Sequence, residues 1–283
     1  MEKIKIGVIS PASSIIGEKA KMEFDKGIKM LEDAGFEVIV GKNVFSNTDS
    51  DSRCGSIDEK LNDIYEIASK TKYIMCSTGG INSNIILDQL DYQRIKDNIF
   101  IGNSNPILLL NAIYKINNTF SYIGPNVKSI GKSGSIFSIE CLKETIINNN
   151  KKIMTEKDNL IINSGSCIGI AIGGNIQSLR RILGTKFFPK VKDHILYLEA
   201  SIKETNECEF KSIIYQFKQA GVFDGIKGIV LGYYTDDLEF YKRIFKDFQI
   251  PIIVCNNFGH NVNNNMLPLG KMIKLDNGKI FEL

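Results

Sequence analysis

Hydrophobic and polar positions along the first half of the chain follow two periods. Lys5–Ser10 is a short apolar, β-branched run that stops at Pro11, the pattern of a buried strand. Over Glu18–Ala34 the apolar residues Ala20, Phe24, Ile28 and Leu31 step by four, four and three, which places them on one helical face. Gly35 then stands where a C-terminal cap belongs. Phe36–Val40 is a second short strand. Ser56-Ile57-Asp58-Glu59 is a capping-box pattern, and Ile57, Leu61, Ile64 and Ala68 continue it as an amphipathic helix. Tyr73–Cys76 and Ile99–Ile101 are the third and fourth strands, and a helix follows from Pro106 to about Ile113. Strands alternating with helices predict a parallel sheet covered on both faces, with ligands at the carboxyl ends of its strands.

The second half differs in texture. Short apolar runs recur at Cys167–Ile172, Ile195–Leu198, Gly228–Leu231 and Ile252–Val254, with helical patterns between them at Asn175–Leu183, Glu209–Ala220 and Leu238–Phe248. Met272–Leu283 reads as a hairpin turning at Asp276-Asn277-Gly278. The polar run Asn148-Asn149-Asn150-Lys151-Lys152 marks the end of the first unit, which gives an N-terminal α/β domain over residues 1–150 and a second domain over 165–283.

Composition narrows the class. Of 283 residues, 43% are apolar, enough for a real core. The formal charge is +3, from 35 basic and 32 acidic residues, with no basic cluster interleaved with aromatics, so nucleic acid is not an expected partner. The opening apolar run is too short for a signal peptide and contains a lysine, and no stretch is long enough to cross a bilayer; a cytoplasmic, non-membrane protein is expected. The six cysteines are scattered without a C-x-x-C pair, and there are two histidines, so neither a metal site nor another cofactor is expected. Most of the cysteines read as small core fillers.

Chemistry concentrates in a few loops. Gly102-Asn103-Ser104-Asn105-Pro106 leaves a buried strand and opens a helix, so Ser104 stands at the sheet's carboxyl edge near the positive end of a helix. That suits a nucleophile whose reaction develops an oxyanion, although the commoner use of Ser or Asn at such a turn is as a helix cap. Ser77-Thr78-Gly79-Gly80-Ile81-Asn82-Ser83-Asn84 also leaves a strand toward a helix, and its paired glycines let the backbone approach a ligand. G-x-G-x-x-G and P-loop fingerprints are absent, which disfavours a nucleotide-binding Rossmann domain. A serine nucleophile needs a base. His194 lies in a polar lead-in to a strand and reads as solvated, whereas His260 follows a strand in Phe258-Gly259-His260. Glu199 ends the apolar run Ile195–Leu198, where a carboxylate can orient an imidazole or simply face solvent.

Taken in order, these segments resemble the LD-carboxypeptidase family, including its microcin C immunity branch. The resemblance is carried by Ile6–Pro11, Ser77–Asn84, Leu90-Asp91-Tyr92, Phe100–Asn105, Gly124-Pro125, Gly173-Gly174-Asn175-Ile176, Gly184-Thr185, Ile195–Glu199, Ala220–Asp224, Phe258-Gly259-His260 and Leu267–Gly270, and spans nearly the whole chain. It implies a Rossmann-like parallel α/β N-terminal domain, a smaller β-rich α+β C-terminal domain, and a site between them. The implied triad is Ser104, Glu199 and His260, with the backbone N–H groups of Gly80 and Asn105 as oxyanion donors and Gly79, Asn82 and Asn103 beside the substrate. It also implies metal-free cleavage of an amide in a murein peptide or a peptide–nucleotide antibiotic, and a homodimer. Three departures stand out. Asn105 replaces the family's usual Asp, Asn103 replaces a frequent aromatic, and Thr78 stands where murein-cleaving members often carry Arg. The chain has no Trp, so a nucleobase would have to stack on Tyr or Phe. The departures at Asn103 and Asn105 also leave open a non-catalytic relative that binds a small ligand.

Overall fold

A computed structural model describes residues 3–49, 53–203 and 205–283; Met1 and Glu2 of the opening segment lie outside these ranges. The first half runs β1 (Lys5–Ile9), α1 (Glu18–Asp33), β2 (Glu37–Val40), α2 (Ile57–Ala68), β3 (Tyr73–Cys76), β4 (Ile99–Gly102), α3 (Ile107–Asn117), β5 (Ser121–Ile123), α4 (Val127–Ser133) and α5 (Ile136–Ile146). The second half runs β6 (Leu160–Asn163), β7 (Ser166–Asn175), α6 (Ile176–Leu179), β8 (His194–Glu199), α7 (Glu207–Gln219), β9 (Gly228–Gly232), α8 (Leu238–Phe245), β10 (Ile252–Cys255), β11 (Leu267–Leu269), β12 (Met272–Asp276) and β13 (Lys279–Glu282). This is the expected two-part α/β architecture.

The capping box is present in full. Ser56 Oγ accepts from the Glu59 N–H while the Glu59 carboxylate accepts from the Ser56 N–H. The hairpin turn takes positive φ at Asn277 and Gly278, the geometry a two-residue turn demands. Three helical patterns come out shorter than expected; the one over Leu238–Phe248 ends at Phe245. Residues 175–183 hold only α6, which ends at Leu179 and passes into a run of turns. The segment after Gly80 makes a single 3₁₀ turn, Ser83–Ile86, entered through left-handed Asn82. The segments β5, α4, α5, β6 and β11 are short or follow no clean period, and the hydrophobic pattern does not announce them.

The first sheet has the order β2-β1-β3-β4-β5-β11. Strands β1 to β5 pair parallel, and β11 closes the edge antiparallel to β5. The second has the order β13-β12-β7-β8-β9-β10-β6, with β7 to β10 parallel and the outer strands antiparallel. Sheet membership does not follow the 165–283 segment strictly: β6 lies before it yet joins the second sheet, and β11 lies within it yet joins the first. The 256–266 connection therefore runs from β10 in one sheet to β11 in the other. Four cysteines are buried, Cys167 is half-buried and Cys208 is exposed, all as free thiols. Among the described residues no helix is long and apolar enough to cross a membrane.

Helix α3 joins the two halves. Ile107 to Ile113 are all buried, an all-round burial that a helix reaches only when enclosed. It packs on β4 and β5 on one side and on β7 on the other. Asn111 Oδ1 accepts from the Gly173 N–H at 3.0 Å, and its Nδ2 donates to the Gly173 carbonyl at 2.9 Å. A Cβ at Gly174 would stand 3.1 Å from Ile107, so the glycine lets the helix settle on the strand. Removing the amide leaves two buried backbone groups unpaired, each costing about 1–3 kcal/mol. Asn111→Leu is therefore expected to lower unfolding free energy by about 3 kcal/mol, read from urea denaturation; a loss below about 1 kcal/mol would show that the two groups find other partners.

Candidate active site

The β4–α3 turn holds Ser104 at φ +64°, a left-handed conformation that costs a non-glycine residue about 1–3 kcal/mol. The surroundings over-determine it. Ser104 N–H donates to Asn103 Oδ1 at 2.7 Å. Asn126 grips Asn103 through both backbone groups, accepting from its N–H at 3.1 Å and donating to its carbonyl at 3.2 Å. Neither Ser104 nor Asn105 caps α3, contrary to the commoner use of such residues: the helix has no side-chain cap. Asn105 Oδ1 instead accepts from the Ser83 N–H at 2.8 Å and from its hydroxyl at 2.7 Å, tying the Ser104 turn to the loop after β3.

That loop carries the paired glycines. A Cβ at Gly79 would fall 2.9 Å from Ser104 Oγ, so only glycine leaves room for the serine. Gly80 takes φ +108°, and a Cβ there would collide with Ser13. Ser13 brackets Gly80: its N–H donates to the Gly79 carbonyl at 3.3 Å, and its Oγ accepts from the Ile81 N–H at 3.2 Å. The amide N–H groups of Gly80 and Asn105 make no hydrogen bond to any described residue.

Glu199, at the end of β8, is 1% exposed. Its Oε2 lies 2.8 Å from His260 Nδ1, and its Oε1 has no hydrogen-bond partner among the described residues. Gly232 and Gly259 make space for this side chain: a Cβ at Gly232 would stand 2.5 Å from Glu199 Cβ, and one at Gly259 would stand 3.0 Å from Glu199 Oε2. A surface position for Glu199 is thereby excluded. Asn103 Nδ2 donates to the Gly259 carbonyl at 3.0 Å, which fixes the His260 loop against the Ser104 turn. His194 begins β8, at the opposite end from Glu199. It is not a solvated lead-in: the ring is half-buried, with Nε2 2.8 Å from Tyr114 Oη and Nδ1 2.8 Å from the Lys192 carbonyl.

A cavity of about 480 Å³ opens where these loops meet. Gly79, Gly80, Asn103, Ser104 and His260 all line it. Glu199 stands behind His260, while Asn82 and the buried Asn105 side chain are not on its wall. The wall also includes Asn126, Lys128, Lys132 and Lys203. Of these, only Asn126 carries a sequence signal, its place after Gly124-Pro125; the lysines lie on elements whose orientation no pattern gives. Among the described residues no three His, Cys, Asp or Glu side chains converge as metal ligands would.

Fold and site together define a two-domain α/β protein with a serine, a histidine and a buried carboxylate at the junction of its sheets. The chain belongs to the LD-carboxypeptidase family: residues 6–124 match the profile of the LD-carboxypeptidase N-terminal domain and residues 168–275 that of the LD-carboxypeptidase C-terminal domain. It is similar to the microcin C7 self-immunity protein MccF of Escherichia coli, with 27% identity over 91% of this chain and 86% of that protein. The crystal structure of an MccF-like protein from Bacillus anthracis superposes with a TM-score of 0.88 and 25% identity, covering 100% of this chain and 97% of the other. Muramoyltetrapeptide carboxypeptidase from Oxalobacter formigenes shares the fold, with a TM-score of 0.80 at 20% identity over 98% and 97% of the two chains.

Because both ring nitrogens of His194 are engaged, His194→Ala is expected to cost about 1–2 kcal/mol of stability, through lost hydrogen bonds and lost packing on Tyr114. The midpoint of a urea titration measures this; an unchanged midpoint would return His194 to the solvated surface.

Proposed function

We propose that the protein is a serine hydrolase that cleaves an amide in a small peptide through a Ser104–His260–Glu199 relay. The observation that carries this reading is the 2.8 Å contact between His260 Nδ1 and the buried Glu199 Oε2, made by a histidine that lines the same cavity as Ser104. With Nδ1–H donating to the carboxylate, Nε2 is the nitrogen that exchanges the reacting proton. Ser104 Oγ attacks the amide carbonyl and His260 takes its proton. The oxyanion forms toward the N–H groups of Gly80 and Asn105; that neither makes a hydrogen bond to a described residue supports their assignment as donors. His260 then protonates the leaving amine, and a water deprotonated by the same nitrogen hydrolyses the acyl-serine ester. Substitution of the family's Asp by Asn105 leaves the backbone donor intact, and Gly79 and Asn103 stand beside the reacting atoms.

The family supports a murein-type peptide as substrate. Similarity to the microcin C7 self-immunity protein supports a second reading, hydrolysis of an aminoacyl- or peptidyl-nucleotide. Without Trp in the chain, a base would stack on Tyr or Phe. Incubation with a murein tetrapeptide and with an aminoacyl-nucleotide, followed by product analysis, separates the two. A fluorophosphonate that labels Ser104 separates both from a non-catalytic binding protein. The homodimer belongs to the same reading and is checked by light scattering.

On whichever substrate is cleaved, His260→Ala is expected to lower kcat by about four to six powers of ten, as losses of triad members do. His194→Ala, corrected for folded fraction, is expected to stay within about threefold, since about 16 Å of strand separates it from Glu199. A dead His194 variant beside an active His260 variant would move the site elsewhere.

Glu199→Gln keeps volume but cannot stabilise the imidazolium by charge. It is expected to lower kcat by about four powers of ten, the size of the comparable Asp-to-Asn change in trypsin. Circular dichroism verifies the fold; near-normal turnover would assign Glu199 a structural role. Prolonged EDTA treatment is expected to leave kcat unchanged, and loss of activity restored by zinc would sink the relay.

A further inference from the structure

The two helices α1 and α4 pack at close range. A Cβ at Gly27 would stand 2.1 Å from the Val127 carbonyl, and one at Gly131 would stand 1.8 Å from the Glu23 carbonyl. Val127, Ile130 and Gly131 are buried in this contact. The Lys128 N–H donates to the Ser77 carbonyl at 2.9 Å, so the start of α4 is pinned to the loop that leads to Gly79 and Gly80. With rotation and position both fixed, Lys128, Ser129, Lys132 and Ser133 form the stripe that lines the cavity. Lysines four residues apart lie on one helical face.

The charge on this wall is one-sided. No Asp or Glu among the described residues lines the cavity. Neither Lys128 nor Lys132 forms an ion pair within the described residues. Burial lowers the Lys128 pKa from its ordinary value; Glu23 opposes this, and Lys132 and Arg53, each a smaller effect, push it down. Two cations held on one concave wall, with no ion pair to a described residue, repel each other, and a bound anion relieves that repulsion while gaining charge-assisted hydrogen bonds.

We propose that Lys128 and Lys132 form an anion subsite in the cleft, which seats a carboxylate or phosphate group of the substrate away from the scissile amide. This rests on the hydrolase reading only for the word substrate. The subsite makes the preferred ligand acidic, and it sets specificity from the N-terminal half, on a helix separate from the reacting groups. Ser129 supplies a hydroxyl on the same stripe, so the anion need not be held by ammonium groups alone.

The test is equilibrium binding by calorimetry in the Ser104→Ala background, where turnover does not interfere. Two matched pairs are titrated: a murein tetrapeptide against the same peptide with its side-chain carboxylates converted to carboxamides, and adenosine monophosphate against adenosine. The charged member of at least one pair is expected to bind at least about tenfold more tightly than its neutral counterpart. A preference in the peptide pair assigns carboxylate as the anion, and one in the nucleotide pair assigns phosphate. Lys128→Met with Lys132→Met is expected to abolish the preference while leaving the neutral member within about twofold. Lys132→Met alone, at an exposed position, is expected to weaken the preference, and it serves if the half-buried Lys128 variant fails to fold. Equal affinity for charged and neutral members in both pairs, absence of binding by either anion, or equal losses for both members in the lysine variants overturns the subsite. Failure of the hydrolase reading would show separately, as no turnover by the unmodified protein or full turnover by Ser104→Ala, and leaves these binding outcomes to stand or fall alone.

Discussion

A single side-chain amide fixes the relation between the two sheets. Asn111 pairs with both backbone groups of Gly173 as a neighbouring strand would, and it does so from inside a helix. Because the helix is α3, whose preceding turn carries Ser104, and because β7 lies beside β8, whose last residue is Glu199, this contact sets the distance between two groups that no continuous element connects. Register carries the constraint outward: Gly173 pairs with Tyr197 and Asn175 with Glu199. A hydrophobic contact between the halves would hold them together without fixing rotation; a bidentate hydrogen bond to one glycine does both.

The second constraint is electrostatic. A carboxylate that is buried with one oxygen unpartnered among the described residues costs free energy unless its charge is used. Glu199 has His260 as its partner, with Nδ1 2.8 Å from Oε2. Room for this pair comes from glycine at 232 and 259, and the loop that carries His260 is stitched down by its own asparagines. Asn261 Nδ2 donates to the Asn256 and Phe258 carbonyls, and Asn264 Nδ2 donates to the Asn261 carbonyl. The Asn-rich run 256–265, which looks like unstructured polar sequence, is a scaffold.

Much of the fold was legible because its signals are local. The capping box at Ser56, the glycine after α1 and the Asn277-Gly278 turn each follow from a few adjacent residues, and the buried strands from their length and branching. Segments such as β11 were not legible. Three residues around Pro268 become a strand only because β5 presents an open edge, a fact about tertiary structure that no window of sequence contains. The candidate site divides in the same way. Ser104, Gly79 and Gly80 stand in turns with recognisable chemistry, while Glu199 and His260 gained weight from the order of the family's segments. Lys128 and Lys132 escaped notice because only the packing of Gly27 and Gly131 determines which way their helix faces. His194 misled for a related reason: its partner Tyr114 is 80 positions away.

The residues that depart from the family's usual pattern bear on whether the cleft is a working site or a relic. Asn103 stands where an aromatic is frequent, and an idle replacement would be free to drift. Instead its carbonyl oxygen holds the Ser104 N–H and its amide holds the Gly259 carbonyl, so one side chain ties the serine's turn to the histidine's loop. Asn105 replaces a charge, yet its side chain accepts two hydrogen bonds from Ser83 and leaves the backbone N–H directed by the strained turn. A cleft that only bound a ligand would have no need to hold Ser104 at positive φ, since relaxing that turn would recover about 1–3 kcal/mol. Strain kept in place by polar groups that reach across both sheets supports the proposed chemistry at the serine over binding alone.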